Sequence, residues 1–377
     1  MTGGLSFEVL VQRGGFALRA AARVDPGEVL GVIGANGSGK STLVGSIAGT
    51  HRIASGRVAL GDRVLCSRDP GAPEVRLPRA DRRIGHLDQR ARLFPHLDAR
   101  SNIAFGPRAQ GTRRRAADAA AERWLERIGL PGRGDAHEHQ LSGGQQQRVA
   151  IARALAAGPE ALLLDEPFAA LDVVSSDELR SLVAAEMRRL EIPVVLVTHD
   201  PVDLISLADR VLVLEHGRVG QAGPVAEVLG APASPFAAEF TGRVLVEGVA
   251  SSHGALRLAT APLAELRGSG ELPPPGARAV ASFAPSAVRI APEDRPRPPG
   301  SDDAAPPLNS WSDTIRAVWA SPAGIRIECT GWPGFAAELP LSGALEPWLA
   351  SGTRVRLELS AQDVRFAIPR PAFAAAG

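Results

Sequence analysis

The segment Gly34-Ala35-Asn36-Gly37-Ser38-Gly39-Lys40-Ser41 constrains this chain more than any other, because it requires a strand on one side and a helix on the other. Val29-Leu30-Gly31-Val32-Ile33 before it is short, apolar and β-branched, the pattern of a buried parallel strand. Thr42-Leu43-Val44-Gly45-Ser46-Ile47-Ala48 after it reads as the helix that opens there. The glycines let the backbone wrap tightly round an anion, so that successive N–H groups and the positive end of the helix point inward. Lys40 is the only lysine; of the 42 basic residues the other 41 are arginine. A compact ammonium on a flexible stem fits a closed phosphate cradle in a way that a planar guanidinium does not. The spacing predicts a nucleotide phosphate site built from Gly34 to Lys40 with Thr42 beside it, and Ser41 as a ligand to magnesium.

A chain of 377 residues has room for two or three domains, and 45% hydrophobic residues are enough for ordinary cores. A net charge of +1 offers no electrostatic case for a nucleic-acid partner. Cys66 and Cys329 are far apart and fall in no metal spacing, which fits a reducing cytoplasm. Met1 to Leu10 lacks the basic start and apolar core of a signal peptide. No apolar run reaches the roughly 18 residues that cross a bilayer, so any membrane association is expected through a partner.

From the start to about residue 240 apolar strands alternate with helical stretches, at Val29–Ile33, Ala161–Leu164, Val194–Val197 and Val211–Leu214. That alternation predicts a mostly parallel sheet covered by helices, with its ligand at the carboxyl ends of the strands. Residues from about 90 to 158 read as a helical insertion, with Trp124, Leu125 and Ile128 on one side of the stretch Arg113 to Ile128. From 241 to 308 short alternating segments, such as Ala255–Leu258 and Ala279–Phe283, suggest β structure, and Pro292 to Pro307 reads as a linker or exposed loop. A last β domain is expected over 309–370, with strands at Thr314–Trp319, Ile325–Cys329 and Arg354–Leu359. It holds Trp311, Trp319, Trp332 and Trp348, most of which read as core.

A phosphate loop alone leaves kinases, GTPases, helicases and transport ATPases open. Leu141-Ser142-Gly143-Gly144-Gln145 is a second glycine-rich turn at a helix start, able to offer N–H groups and a hydroxyl to a phosphate. Ala161-Leu162-Leu163-Leu164-Asp165-Glu166 is an apolar strand ending in two carboxylates, which strand alternation points in different directions. With these motifs in this order the chain resembles the ABC ATPase family, a P-loop α/β core with a helical insertion. The resemblance covers residues 1 to about 240.

The resemblance implies ATP and magnesium as ligands and a head-to-tail dimer, in which Ser142, Gly143, Gly144 and Gln145 of one copy close over the nucleotide of the other. Asp165 then reaches magnesium through water, and Glu166 orients and deprotonates the attacking water. Gln89, in Ile84-Gly85-His86-Leu87-Asp88-Gln89, matches the glutamine that touches magnesium or that water. His199 matches the switch histidine at the γ-phosphate, and Asp172 the aspartate that links the two sites across the dimer. Arg148 is expected to brace the insertion. The family usually stacks an aromatic residue on adenine, whereas this chain has no tyrosine and reads Leu10-Val11-Gln12-Arg13 at that place. Adenine is then held by aliphatic packing or Arg13, with Phe16 in the core.

Without a fused membrane domain and with a C-terminal β region, the chain is most similar to separate importer subunits, and among them to the ATPase of molybdate importers. Asp81-Arg82-Arg83-Ile84-Gly85, Asp88-Gln89, Leu93-Phe94-Pro95-His96-Leu97 and Asn102-Ile103-Ala104-Phe105-Gly106 carry that likeness, together with Gly352 to Val364, which looks like the last strand of a small OB-like molybdate (Mop/TOBE-type) barrel. Where such barrels hold the oxyanion with a Ser-x-x-Asn-like opening and a lysine, this chain has Asn309-Ser310-Trp311-Ser312 and Ser360. Loss of an ammonium predicts weak molybdate binding there. The resemblance implies a permease dimer as partner, contacted near Gln89 and Phe94–Leu97. It also implies an indirect link to an extracytoplasmic substrate-binding protein, and a place at the cytoplasmic face of the membrane. Import of sulfate, another oxyanion, iron or a polyamine stays open, as do a soluble non-transport ABC ATPase and a molybdate sensor.

Overall fold

The computed structural model describes residues 3–169, 173–259, 262–295, 308–321, 324–332 and 335–368. The chain divides into two compact units, Met1–Val225 and Ala226–Gly377.

The first unit is built on an eleven-stranded sheet. One half is parallel, in the order Arg210–Glu215, Val29–Gly34, Val194–Val197, Ala161–Asp165, Ile84–Leu87. Of these, Val29–Gly34, Val194–Val197 and Ala161–Asp165 are buried on both faces, which is why they read as largely apolar runs. Leu162, Leu164, Val194 and Leu196 enter the core shared with the helical insertion. Ala161, Leu163, Val195 and Val197 enter the opposite core, with Leu43, Val44 and Ile47 of the helix Lys40–Ala48.

The other half departs from the expected mostly parallel sheet. Leu5–Arg13 pairs antiparallel with Phe16–Val24 and with Ser55–Leu60, and antiparallel pairing continues to Arg63–Arg68 and Val75–Arg76. The side chains of Leu5, Phe7, Val9 and Val11 are buried while Ser6, Glu8 and Gln12 face out, so these strands cover one side only.

The insertion consists of the helices Ala99–Ala109, Arg114–Arg127 and Gly143–Ala156. Ala117, Ala121, Trp124, Leu125 and Ile128 are buried, a helical stripe that seats the middle helix on the core. Asp98 caps the first helix by accepting from the Ser101 N–H at 2.6 Å.

Apart from the short helices Val225–Gly230 and Pro235–Phe240 at its start, the second unit is built of β structure, with sheets of six and five strands around one core. Its strands interleave: Arg278–Phe283 pairs with Arg365–Ala367, and Arg289–Pro292 pairs with Arg354–Ser360. The stretches read from sequence as 241–308 and 309–370 thus share both sheets and a core. Trp311, Trp332 and Phe335 pack with ring centroids 5.0–5.5 Å apart, and Trp348 packs against them half-buried. Trp319 is 41% exposed and lies outside that cluster.

Candidate active site

The strand Val29–Gly34 delivers the chain into the loop at a glycine whose Cβ would fall 2.3 Å from the Leu214 carbonyl oxygen, so no larger residue fits. Gly39, at φ 110, then turns the chain into the helix Lys40–Ala48. This helix begins with neither a side-chain cap nor an acidic residue in its first turn, leaving its first N–H groups and its positive end open to an anion. Lys40 Nζ donates to the carbonyl oxygens of Gly34 at 2.6 Å and Ala35 at 3.1 Å, folding the ammonium back over the loop. Burial lowers the Lys40 pKa, with the charges of Glu166 and Asp165 opposing. The Ser38 hydroxyl is buried without a partner.

A cleft of about 340 Å³ opens here, lined by Asn36, Gly37, Gly39, Lys40, Ser41 and Thr42 of the loop, by Gln89 and Glu166, and by Arg13 and Phe16. Arg13 thus stands at the site, as expected. Phe16 packs half-buried against the core, and its ring also forms a wall of the cleft beside Gly39.

The strand Ala161–Asp165 carries the carboxylates to the same place. Asp165 is 6% exposed and hydrogen-bonded to Ser41. Burial, together with the nearby Glu166 and Asp88 charges, pushes its carboxyl up to about 6. The next residue, Glu166, has φ 50, a left-handed conformation uncommon outside glycine and frequent at functional sites. Glu166 Oε2 accepts from Gln89 Nε2 at 2.9 Å, and Oε1 lies 3.4 Å from His199 Nδ1. Two separate segments, those of Gln89 and His199, therefore converge on the Glu166 carboxylate. A hydroxyl and a buried, charge-crowded carboxylate side by side are oxygen donors suited to a magnesium ion, whose charge would relieve the crowding at Asp165.

Ser142 caps the helix Gly143–Ala156: its hydroxyl accepts from the Gln145 N–H at 3.3 Å, and the Gln145 side chain accepts from the Ser142 N–H at 3.1 Å. Ser142 and Gly143 are exposed, and none of Ser142 to Gln145 lines the phosphate cleft. Among the described residues a Cβ on Gly143 would meet nothing within 4 Å, so none of them demands a glycine there. Asp172 lies outside the described residues. Arg148 donates to the Ile128 carbonyl oxygen at 2.9 Å, tying two helices of the insertion together.

A second cleft of about 440 Å³ runs between the sheet core and the insertion, lined by Ile84, His86, Phe94, Phe105 and Arg153 among others. Phe94 lines it and Gln89 does not. In the second unit, the Asn309 amide accepts from the Arg267 N–H and donates to the carbonyl oxygens of Arg267 and Leu359, which occupies its hydrogen-bonding groups within the fold. Sequence reasoning missed the buried group behind His199, in which Arg180, Thr198 and Asp203 bond to one another. Charged residues on an amphipathic helix read as solvated, and only the packing shows otherwise.

The family model described as ABC transporter matches residues 19–169. The chain is 42% identical over 355 residues to the molybdenum import ATP-binding protein ModC of Mycobacterium tuberculosis, covering 90% of this chain and 91% of that protein. It is 43% identical over 223 residues to the sulfate/thiosulfate import ATP-binding protein CysA of Synechococcus elongatus, covering 59% of this chain and 62% of that one. Among solved structures, a dimeric post-hydrolysis state of the ATP-binding cassette MJ0796 bound to ADP and Pi is similar at TM-score 0.51 and 28% identity, covering 59% of this chain and 98% of that one. Among the described residues no helix is long and apolar enough to cross a membrane.

Proposed function

The chain belongs to the ABC transporter ATP-binding family and is an import ATPase; from that premise we propose that its cargo is molybdate and that the cleft around Lys40 is where it binds and hydrolyses ATP. The observation that carries the cargo is the molybdenum relative's 42% identity over 90% of this chain, above the 36% of the iron import protein FbpC of Streptomyces coelicolor over 89%. The sulfate import protein CysA of Xanthomonas campestris reaches 81% of this chain at 36% identity, so the level of identity and not the reach of the match favours molybdate.

In this reading Lys40 and the N–H groups of Gly34 to Thr42 hold the β- and γ-phosphates, and Ser41 and Asp165 hold magnesium. The ion, when bound, offsets charge on the phosphates. Glu166 orients the attacking water and takes its proton, while Gln89 and His199 keep the carboxylate aimed. His199 also faces the γ-phosphate. A second copy supplies Ser142, Gly143, Gly144 and Gln145, with Asp172 linking the two sites. The exposed signature and the unexplained glycine at 143 support a surface that another chain approaches closely. The dimer of the MJ0796 cassette supports the same assembly.

Closure of that dimer drives a membrane permease seated on the cleft beside Phe94 and Phe105, which holds the protein at the cytoplasmic face of the membrane. A substrate-binding protein outside the membrane would deliver the cargo to that permease. The C-terminal unit does not hold molybdate tightly, since Asn309 is already spent on the fold.

The test is cellular molybdenum in cells with and without the gene, at scarce and ample molybdate, with sulfate uptake followed in parallel. A deficit at scarcity, rescued by wild-type protein and not by Lys40→Ala, is the expected result. Normal molybdenum with impaired sulfate uptake would overturn the cargo and leave the ATPase in place.

A further inference from the structure

We propose that Arg180 is a positioning residue for hydrolysis, acting through Asp203 and Thr198 to hold the turn that presents His199 to Glu166. The proposal rests on the reading of the cleft as an ATPase site.

Arg180 lies on the helix Val173–Leu190, and its side chain is 9% exposed. Nε and Nη2 donate to Asp203 Oδ1 at 2.9 and 2.7 Å, and Nη1 donates to Asp177 Oδ1 at 2.5 Å. The other oxygen of Asp203 accepts from the Thr198 hydroxyl at 2.7 Å. That hydroxyl in turn accepts from the Asp200 N–H at 3.0 Å. The chain of bonds therefore fastens the residues on both sides of His199, and Arg180 Nη2 lies 3.7 Å from Asp200 Oδ2 as well. The guanidinium also sits 5.4 Å from the ring of Phe168, two residues beyond Glu166. One buried cation thus touches both segments whose relative placement sets the His199–Glu166 distance of 3.4 Å.

His199 itself is 65% exposed, so little packing holds its ring. Its position is set by the backbone of residues 198–200, and that backbone is tied to Asp203 and through it to Arg180. A buried, doubly bonded arginine–aspartate pair is a costly device for stability alone, since apolar residues of similar volume commonly do as well. Its use here is geometric: an error of about 1 Å at a reacting group can cost on the order of 100-fold in rate.

The experiment measures kcat and KM for ATP and the melting temperature of the full-length wild type, Arg180→Met, Thr198→Val and the double variant. Arg180→Met should lower kcat by about 10- to 100-fold with KM within about threefold. Thr198→Val should lower kcat in the same direction, and the double variant should be no slower than Arg180→Met, because both act along one path. Arg180→Lys, which can restore one bond to Asp203, should recover part of kcat. If Arg180→Met fails to fold, Thr198→Val, which alters no charge, carries the test on kcat alone. A kcat within about threefold of wild type in whichever variant carries the test, or losses that multiply in the double variant, would sink the proposal. A wild-type protein with no ATPase activity would instead sink the reading of the site.

Discussion

Asp165→Asn should make the nucleotide-free protein more stable while removing its activity. The Asp165 carboxyl is pushed from an ordinary 3.8 to about 6, chiefly by burial and then by the charges of Glu166 and Asp88. The folded state therefore holds its proton more tightly than the unfolded chain does, so stability falls as pH rises from about 4 to about 6 and is flat above. A shift of about two units is worth about 3 kcal/mol at pH 7, undiscounted for solvent because the residue is 6% exposed. Asparagine carries no charge to bury and keeps an acceptor for Ser41. At pH 7 it should recover up to about 3 kcal/mol, and at pH 5 roughly half as much. For a unit the size of Met1–Val225 this is a rise in melting temperature of roughly 6–12 °C at neutral pH. Calorimetric melts without nucleotide or magnesium, at pH 5 and pH 7, measure it directly. Adding magnesium and ATP should reverse the ranking, since the wild-type carboxylate then gains its counter-charge. Equal melting at pH 7, or a gain as large at pH 5, would refute the assignment of the buried charge.

Glu166→Gln keeps the side-chain shape that meets Gln89 and His199 but removes the base, so ATP affinity should stay within a fewfold while turnover drops by about 100-fold or more. Unchanged turnover in a steady-state assay would take Glu166 out of that role. Asn309→Ala should destabilise the C-terminal unit by about 1–3 kcal/mol through the unpaired backbone groups at Arg267 and Leu359, seen as a lower melting transition. In the same preparation, calorimetric titration of molybdate into the intact wild-type chain should give no binding at tens of micromolar, and tight binding would contradict the view of Asn309 as a purely structural clamp.

What could be read from the chain alone was what depends on neighbours in sequence. The phosphate loop, the strand before it and the carboxylates of Asp165 and Glu166 are each contiguous, and the structure brings the loop, Glu166 and Gln89 to one cleft, with Asp165 bonded to Ser41 there. The parallel strands were legible because burial on both faces erases alternation, as in Val29–Gly34. The antiparallel half is harder to read, since Phe16–Val24 alternates only loosely and the pairing neighbours Ser55–Leu60 and Arg218–Pro224 are remote in the chain, even though Leu5–Val11 alternates cleanly. Phe16 reads as core because an aromatic residue in a strand usually is, and only the close approach of Gly39 shows that it also walls the cleft. The Arg180 group is invisible for a related reason: Asp203, which joins Arg180 to Thr198, lies 23 residues from Arg180 in sequence and is charged itself.

The interleaving of strands in the second unit bears on how such a protein can be modified or can have arisen. Arg365–Ala367 completes a sheet begun by Val244–Ala250 and Arg278–Phe283, and Leu308–Ser321 pairs along its first half with Arg354–Ser360 and along its second with Gly324–Cys329. A cut anywhere between these strands strands hydrogen-bonding edges on both fragments, and an exposed edge invites pairing with another chain. The unit is therefore indivisible: a graft onto another transporter ATPase has to carry everything from about Ala226 onward, and a shorter graft should yield aggregates in place of a regulatory module.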